Sequence, residues 1–538
     1  MLIFTSQLFL AYVSTAALGN MVLPEISRFS QHNNGFLDLQ FNKLYGTSFD
    51  IAKKWQDINL GQHNLNFKQS ELYKRASSDY QELEIKNQQS FYSLDLFIGT
   101  PGQNVTVQID TGSSDLWVTG SNNPYCNGST FSDTVPSREL FNCSQYGTFN
   151  TNKSSTWSSN NSRFFIQYGD TTFASGTWGR DVMSINGLNV TGLTFAVANA
   201  SNSSNSVLGI GLTQLETTYN GSNSSHSYTY ANFPVVLKNA GLTESISYSL
   251  FLNELDAESG SILFGAVDHS KYSGNLYTLP LVNTYKDRGF PNPIEFAVTL
   301  QGIGIVSGSK KTTITQTKLA AILDSGTSLT VLPGTIIHSI ASSLNGRYSP
   351  LIDSYLVSCS LRNSTNTNLV FDFGGFTIKG TLSNFILEIE DDICILGLSS
   401  VDENSVILGD TFLASAYVVY DLENLQISMA QAKFDNSTSD IDVIRGNSGV
   451  PSAIKAPGYS STWTATPSSI STGGNIFPTV TSRSSTQTST HKGNSDASTT
   501  SSTQTKKNYG NRENPRILSS IYFLPIINLI LDPLFDGL

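Results

Sequence analysis

Between about residue 90 and residue 434 the apolar positions fall into short runs separated by Gly-, Asn- and Ser-rich turns. Runs such as FFIQYGD, SILFGAVD and AYVVYDLENLQISMA carry the aromatic and β-branched side chains that suit a pleated, half-buried surface. Apolar spacing at the helical period is scarce. It predicts short helices at TIIHSIASSL (Thr335 to Leu344) and FPVVLKNA (Phe233 to Ala240). The middle of the chain is therefore expected to be dominated by β-structure.

The flanks are patterned differently. Residues 1–17 are apolar and end in small side chains, which predicts a signal peptide over 1–19 cut near Ala17 or Gly19. Residues 20–75 end in a dibasic pair, Lys74 and Arg75, directly before the strand-rich region, and read as a pro-segment removed at that pair. From Asp435 to Lys507 Ser, Thr, Gly and Pro dominate and apolar periodicity disappears. Such a stretch buries too little surface to offset its ordering entropy, so a disordered, O-glycosylated stalk is expected over 435–507. Ile517 to Leu531 is nearly all apolar, interrupted afterwards by Asp532 and Asp536. A small-residue site at Asn508 (or at Gly493 or Asn494), a short polar spacer and this tail predict a glycolipid-attachment signal over 508–538.

Composition narrows the function. Of 538 residues 31 are Lys or Arg and 42 Asp or Glu, a formal charge of −11, with no basic cluster, so phosphate-backbone recognition and a nucleic-acid partner are excluded. About a dozen N-x-[ST] sequons, among them Asn104, Asn127, Asn142, Asn189, Asn202, Asn363 and Asn436, fit a chain entering the secretory pathway. Four cysteines, Cys126, Cys143, Cys359 and Cys394, form no C-x-x-C pair and allow three disulfide connectivities. The sequence-local one, Cys126 with Cys143 and Cys359 with Cys394, is preferred because it closes short loops in separate regions. The histidines show no ligand spacing, and neither H-E-x-x-H nor G-x-S-x-G occurs, so neither a metal site nor a cofactor is expected and zinc- and serine-dependent hydrolysis is disfavoured.

One pattern occurs twice. VQIDTGSSDLWV holds Asp110, Thr111, Gly112 and Ser113; AAILDSGTSLTVLP holds Asp324, Ser325, Gly326 and Thr327. Each is an apolar strand ending in Asp-[ST]-Gly-[ST], and each is followed downstream by apolar-apolar-Gly, at Val207-Leu208-Gly209 and at Ile407-Leu408-Gly409. The repeat implies two related lobes, 76–270 and 271–434, each supplying one carboxylate. Two opposed carboxylates cannot both ionise cheaply, so they share a proton. The ionised one can act as base on water while the protonated one donates to a substrate carbonyl. Gly112 and Gly326 permit a tight turn. Thr111 and Ser325 can bond backbone across the lobe interface, and Ser113 and Thr327 can bond the outer carboxylate oxygens.

On these motifs the region 90–434 resembles a pepsin-type aspartic protease, and the whole chain resembles the fungal yapsins. IQYGDTTFASG (Ile166 to Gly176) resembles the flap hairpin of that family, Ser249 to Leu281 the segment joining its lobes, and ILGDTFLASAYVVYDLEN the end of its second lobe. The resemblance implies a bilobal, all-β dominated fold with a flap closing over substrate, Tyr168 at its tip beside Gly169 and Asp170, and Trp117 bonding the Tyr168 hydroxyl. It matches Cys359 and Cys394 to the second-lobe disulfide and the Cys126 to Cys143 stretch to a yapsin insertion. Asp170 reads either as a partner for a substrate Lys or Arg or as a turn-forming residue, and Asp170-Thr171 replaces the Asp-Gly of many relatives. The implied protein is a monomeric endopeptidase held at the cell surface by a lipid anchor in the membrane, cutting polypeptides after basic residues. A soluble secreted protease and a non-catalytic glycosylated surface protein are the alternatives.

Overall fold

The computed structural model describes residues 25–27, 35–44 and 91–477, apart from 129–139 and shorter internal stretches at 186–187, 222–226, 255–256, 258, 351–352, 391–392, 403 and 436. The signal-peptide, Lys74-Arg75 and Asn508 expectations lie outside the described residues, as does the 478–538 tail.

The described chain is mostly strands. The two predicted helices appear as Phe233–Asn239 and Gly334–Ser343, joined by one-turn helices at Leu382–Phe385 and Asp410–Leu413. Gly334–Ser343 buries Ile336, Ile337, Ile340 and Ala341, an i, i+1, i+4, i+5 stripe that faces the core.

The first half is built on Phe91–Ile98, Gln103–Asp110, Leu116–Thr119 and Ser206–Gly209, with the long strands Ser158–Gln167, Phe173–Ile185 and Leu188–Ser201 beside them. Gln103–Asp110 runs parallel to Ser206–Gly209, and Leu116–Thr119 pairs with that same strand antiparallel. The second half repeats the arrangement: Leu319–Leu323 runs parallel to Ile407–Leu408, and Thr330–Val331 pairs with it antiparallel. In both halves the apolar-apolar-Gly strand thus threads between the strand that ends in Asp and the strand that follows the turn.

Strands from both halves meet in one sheet. Ser247–Phe251 lies between Ser259–Phe264 and Ala416–Asp421, which continues to Gln426–Ala432 and Tyr272–Pro280. The predicted lobe boundary near residue 270 therefore falls inside this shared sheet. Leu37–Leu44, upstream of the dibasic pair, is inserted between Ser259–Phe264 and Phe91–Ile98 and bridges it to the first half. A continuous apolar core, including Leu96, Val107, Tyr248, Val298, Phe371 and Val418, runs through both halves and the sheet between them.

The stalk expectation is corrected over its first part. Residues 437–477 are laid along the end of the first half and then along the second. Ile441–Val443 pairs with Ala266–Asp268, and Ala453–Lys455 runs parallel to Tyr272–Pro280. Trp463 N–H donates to Thr299 Oγ1 at 2.8 Å and Gly473 N–H to the Ile314 carbonyl at 2.7 Å. Ile444, Ala456 and Ile476 are buried. Ile476 seats against Gly302 and Gly304, where added β-carbons would lie 2.7 and 2.9 Å from its side chain. Few apolar anchors suffice here because existing sheet edges satisfy the backbone, a contribution that composition does not reveal.

Candidate active site

Each Asp-[ST]-Gly turn leaves its strand where the threading strand crosses behind it. Gly209 is required there: a β-carbon would stand 2.6 Å from the Asp115 amide nitrogen. At Gly409 it would overlap the carbonyls of Thr327 and Leu329. Only glycine allows backbone to pass this close to backbone. The crossing ties the turns down, with Ile210 N–H donating to the Asp110 carbonyl at 2.9 Å and Asp410 N–H to the Thr327 carbonyl at 2.9 Å.

The two turns face each other and interlock. Thr111 Oγ1 donates to the Leu323 carbonyl at 3.0 Å and accepts from Ser325 N–H at 3.0 Å. Ser325 Oγ donates to the Ile109 carbonyl at 3.0 Å and accepts from Thr111 N–H at 3.3 Å. Both residues are 1% exposed, so these four bonds join the halves in a dry interface. Gln108 Nε2 adds a further bond across, to the Gly326 carbonyl at 3.0 Å.

The carboxylates are held identically. Asp110 Oδ1 accepts from Gly112 N–H at 2.7 Å and Oδ2 from Ser113 Oγ at 2.5 Å. Asp324 Oδ1 accepts from Gly326 N–H at 2.7 Å and Oδ2 from Thr327 Oγ1 at 2.6 Å. Each glycine lies against the opposite carboxylate: a β-carbon on Gly112 would sit 2.5 Å from Asp324 Oδ1, and one on Gly326 would overlap Asp110 Oδ1. The two carboxyl groups are within hydrogen-bonding reach of one another. Burial, then the neighbouring Asp324 charge, push Asp110 well above the usual carboxylate range, against the opposing bonds from Ser113 and Gly112. The pair therefore keeps a proton at pH values where a free carboxyl has lost it.

Above the first half, Ser158–Gln167 and Phe173–Ile185 form a hairpin whose tip holds Tyr168, Gly169, Asp170 and Thr171. Thr171 N–H donates to the Tyr168 carbonyl at 3.0 Å and Tyr168 N–H to the Thr172 carbonyl at 2.8 Å. Thr171 itself adopts φ 71°, the left-handed position usually filled by glycine in such a turn. Trp117 Nε1 donates to the Tyr168 hydroxyl at 2.8 Å, the bond the family resemblance implied. Tyr168 packs on Trp117, Phe164 and Trp178. Asp170 is exposed, and its Oδ1 is taken by Thr172, accepting from N–H at 2.9 Å and from Oγ1 at 2.6 Å, which makes it a turn-forming residue. Cys126–Cys143 and Cys359–Cys394 are the two disulfides.

Three acids near the site escaped the sequence reading. Asp115 and Glu216 are fully buried beside Tyr230, whose hydroxyl donates to Asp115 Oδ1 at 2.7 Å and whose N–H donates to Glu216 Oε2 at 2.8 Å. Burial raises Asp115 and pushes Glu216 up to about 10. The third, Glu295, lies one residue before buried Phe296, whose carbonyl accepts from Leu323 N–H at 3.1 Å. An acid at the head of an otherwise apolar strand was the available signal for Asp115 and Glu295; nothing local marks Glu216.

With this geometry in place the chain was compared with known proteins. The model of the eukaryotic aspartyl protease family matches residues 91–432. The chain belongs to that family. Aspartic proteinase 3 of Saccharomyces cerevisiae is 47% identical, with 94% of this chain and 95% of the relative covered. Aspartic proteinase yapsin-3 of the same yeast is 49% identical over 76% of this chain and 78% of the relative. The crystal structure of the Irpex lacteus aspartic proteinase has a TM-score of 0.51 at 22% identity, covering 66% of this chain and 98% of that one, and shows the shared fold. The chain is thus an aspartic-type endopeptidase of the pepsin-like fold, similar to yeast yapsin-3 among others, and acts on polypeptides.

Proposed function

We propose that Asp110 and Asp324 split peptide bonds by activating one water molecule between them. The observation that carries this is the pair of interlocked turns, which holds two carboxyls together, each accepting two hydrogen bonds. The ionised member removes a proton from water as the oxygen attacks the carbonyl carbon. The protonated member gives its proton to the carbonyl oxygen, forming a tetrahedral diol. Collapse of the diol breaks the C–N bond, and the amine leaves with a proton returned by the carboxyl pair. Tyr168 and Gly169, on the tip backed by Trp117, close over the extended substrate. Asp110→Asn and Asp324→Asn, each tested on a fluorogenic peptide at acid pH, should each lose about 10⁴-fold in kcat while keeping the parent's circular-dichroism spectrum. Retained turnover in either would refute the assignment.

The finer reading is a monomeric cell-surface enzyme, delivered by the signal peptide, freed of 20–75 at Lys74-Arg75, anchored at Asn508 through a glycolipid and cutting after basic residues. Its support is the apolar N-terminus, the sequons, the paired cysteines and the apolar C-terminal tail. Release by a glycolipid-specific phospholipase from intact cells tests the anchor; protein that stays behind contradicts it.

A further inference from the structure

Glu295 lies two residues before the strand that pairs with Leu319–Leu323, the strand leading to Asp324. Ala297–Leu300 pairs antiparallel with Leu319–Leu323 in a register that sets Ala297 opposite Ile322. Continuing that register sets Phe296 opposite Leu323, where the backbone bond is made, and Glu295 opposite Asp324. The negative charge of Asp324 acts on Glu295. Glu295 precedes that strand, between buried Ile294 and Phe296, and is itself partly exposed.

The side chain is fixed rather than free. Tyr285 Oη donates to Oε1 at 2.9 Å and Thr284 Oγ1 to Oε2 at 3.1 Å. Both donors sit on a loop that reaches across to the first half: Tyr285, Phe290 and Ile294 pack with Leu215 and Tyr219, with Phe290 and Tyr219 ring centroids 5.9 Å apart. Arg288 lies over the Tyr285 ring, 4.8 Å from its centroid, and its charge reaches Glu295 without forming an ion pair among the described residues. Each oxygen has one hydroxyl donor and capacity for another bond. Burial pushes this carboxyl up, and a preoriented carboxyl with no ion-pair partner among the described residues gains its charge when a cation is brought to it, which makes it a receptor for one.

We propose that Glu295 is a specificity-determining residue that receives a Lys or Arg side chain of the substrate at a position flanking the cleaved bond. This rests on the two-aspartate reading, because it places the bond at Asp324. Asp170, the acid visible in the sequence, already spends Oδ1 on its turn; Glu295 lies at the head of the strand paired with the one that leads to Asp324.

The test uses the processed enzyme and peptides matched except for Lys or Leu at each position flanking the bond. The readout is the ratio of kcat/KM for the Lys over the Leu peptide. Glu295→Gln should lower that ratio about 10- to 100-fold at one position, the loss of one charge-assisted hydrogen bond. Glu295→Lys should turn the preference toward Glu at that same position, and Glu295→Asp should restore part of the Lys preference. An equal loss on every peptide would mean a structural role and would overturn the proposal. A parent preference for Lys that survives both Gln and Lys substitution would also overturn it while leaving the dyad intact. Turnover that survives Asp324→Asn would instead remove the dyad on which it rests.

Discussion

At the residue scale the site is a matter of donors aimed at two carboxyls and one tyrosine. Tyr168 accepts from the Trp117 indole, which is 0% exposed. Without that acceptor the N–H is left unpaired in an apolar cluster, at about 1–3 kcal/mol. Tyr168→Phe should therefore lower kcat/KM about tenfold or more, and Trp117→Phe should do less because it removes the donor as well as its need. Equal, unaffected kinetics in Tyr168→Phe would show that the bond does not position the flap. Much at this scale was legible in the sequence. Asp110 lies three residues from Ser113 and Asp324 three from Thr327, so the bonds that hold each carboxyl are foreshadowed in a local string. Glu216 and Tyr230 meet only after folding, and the Glu295 holders Thr284 and Tyr285 come from a loop ten residues away; no string carries that juxtaposition.

At the element scale the fold depends on one strand in each half squeezing past an Asp-bearing turn. Gly169 and Gly409 make the contrast. A β-carbon at Gly169 meets nothing within 4 Å, whereas at Gly409 it overlaps two carbonyl oxygens. Gly409→Ala should fail to yield folded, active protein, since relieving that overlap means moving backbone in a close-packed core. Gly169→Ala should fold with an unchanged melting temperature; a stable Gly409→Ala would show that the crossing is looser than described. The repeated apolar-apolar-Gly announced two related lobes but not the crossing itself, which the parallel pairings reveal; the two helices were visible to within a residue because their apolar stripes are regular. The 437–477 strap was not visible. Ile444, Ala456 and Ile476 are too far apart to set a period, and the strap borrows its hydrogen bonds from edges supplied by sequence more than a hundred residues earlier.

At the scale of the whole molecule, buried acids set the pH at which the fold is comfortable. Asp110, Asp115, Glu216 and Glu295 are all pushed upward chiefly by burial. Each binds its proton more tightly folded than unfolded, so its contribution is full below the unfolded pKa and declines as pH rises. For Glu216 that decline runs from about 4.5 to about 10. Thermal unfolding followed by circular dichroism should give the highest melting temperature near pH 4 and a steady fall toward pH 7, and Glu216→Gln should flatten that fall. A melting temperature that rises toward neutrality would contradict it. The strap bears on a different property, the enzyme's range of action. The described body runs on to residue 477, so under the proposed attachment at Asn508 at most 31 residues, in place of 74, separate body from anchor. Even fully extended, 31 residues reach about 105 Å rather than about 250 Å. On that proposal the enzyme works on what stands near the bilayer that holds it.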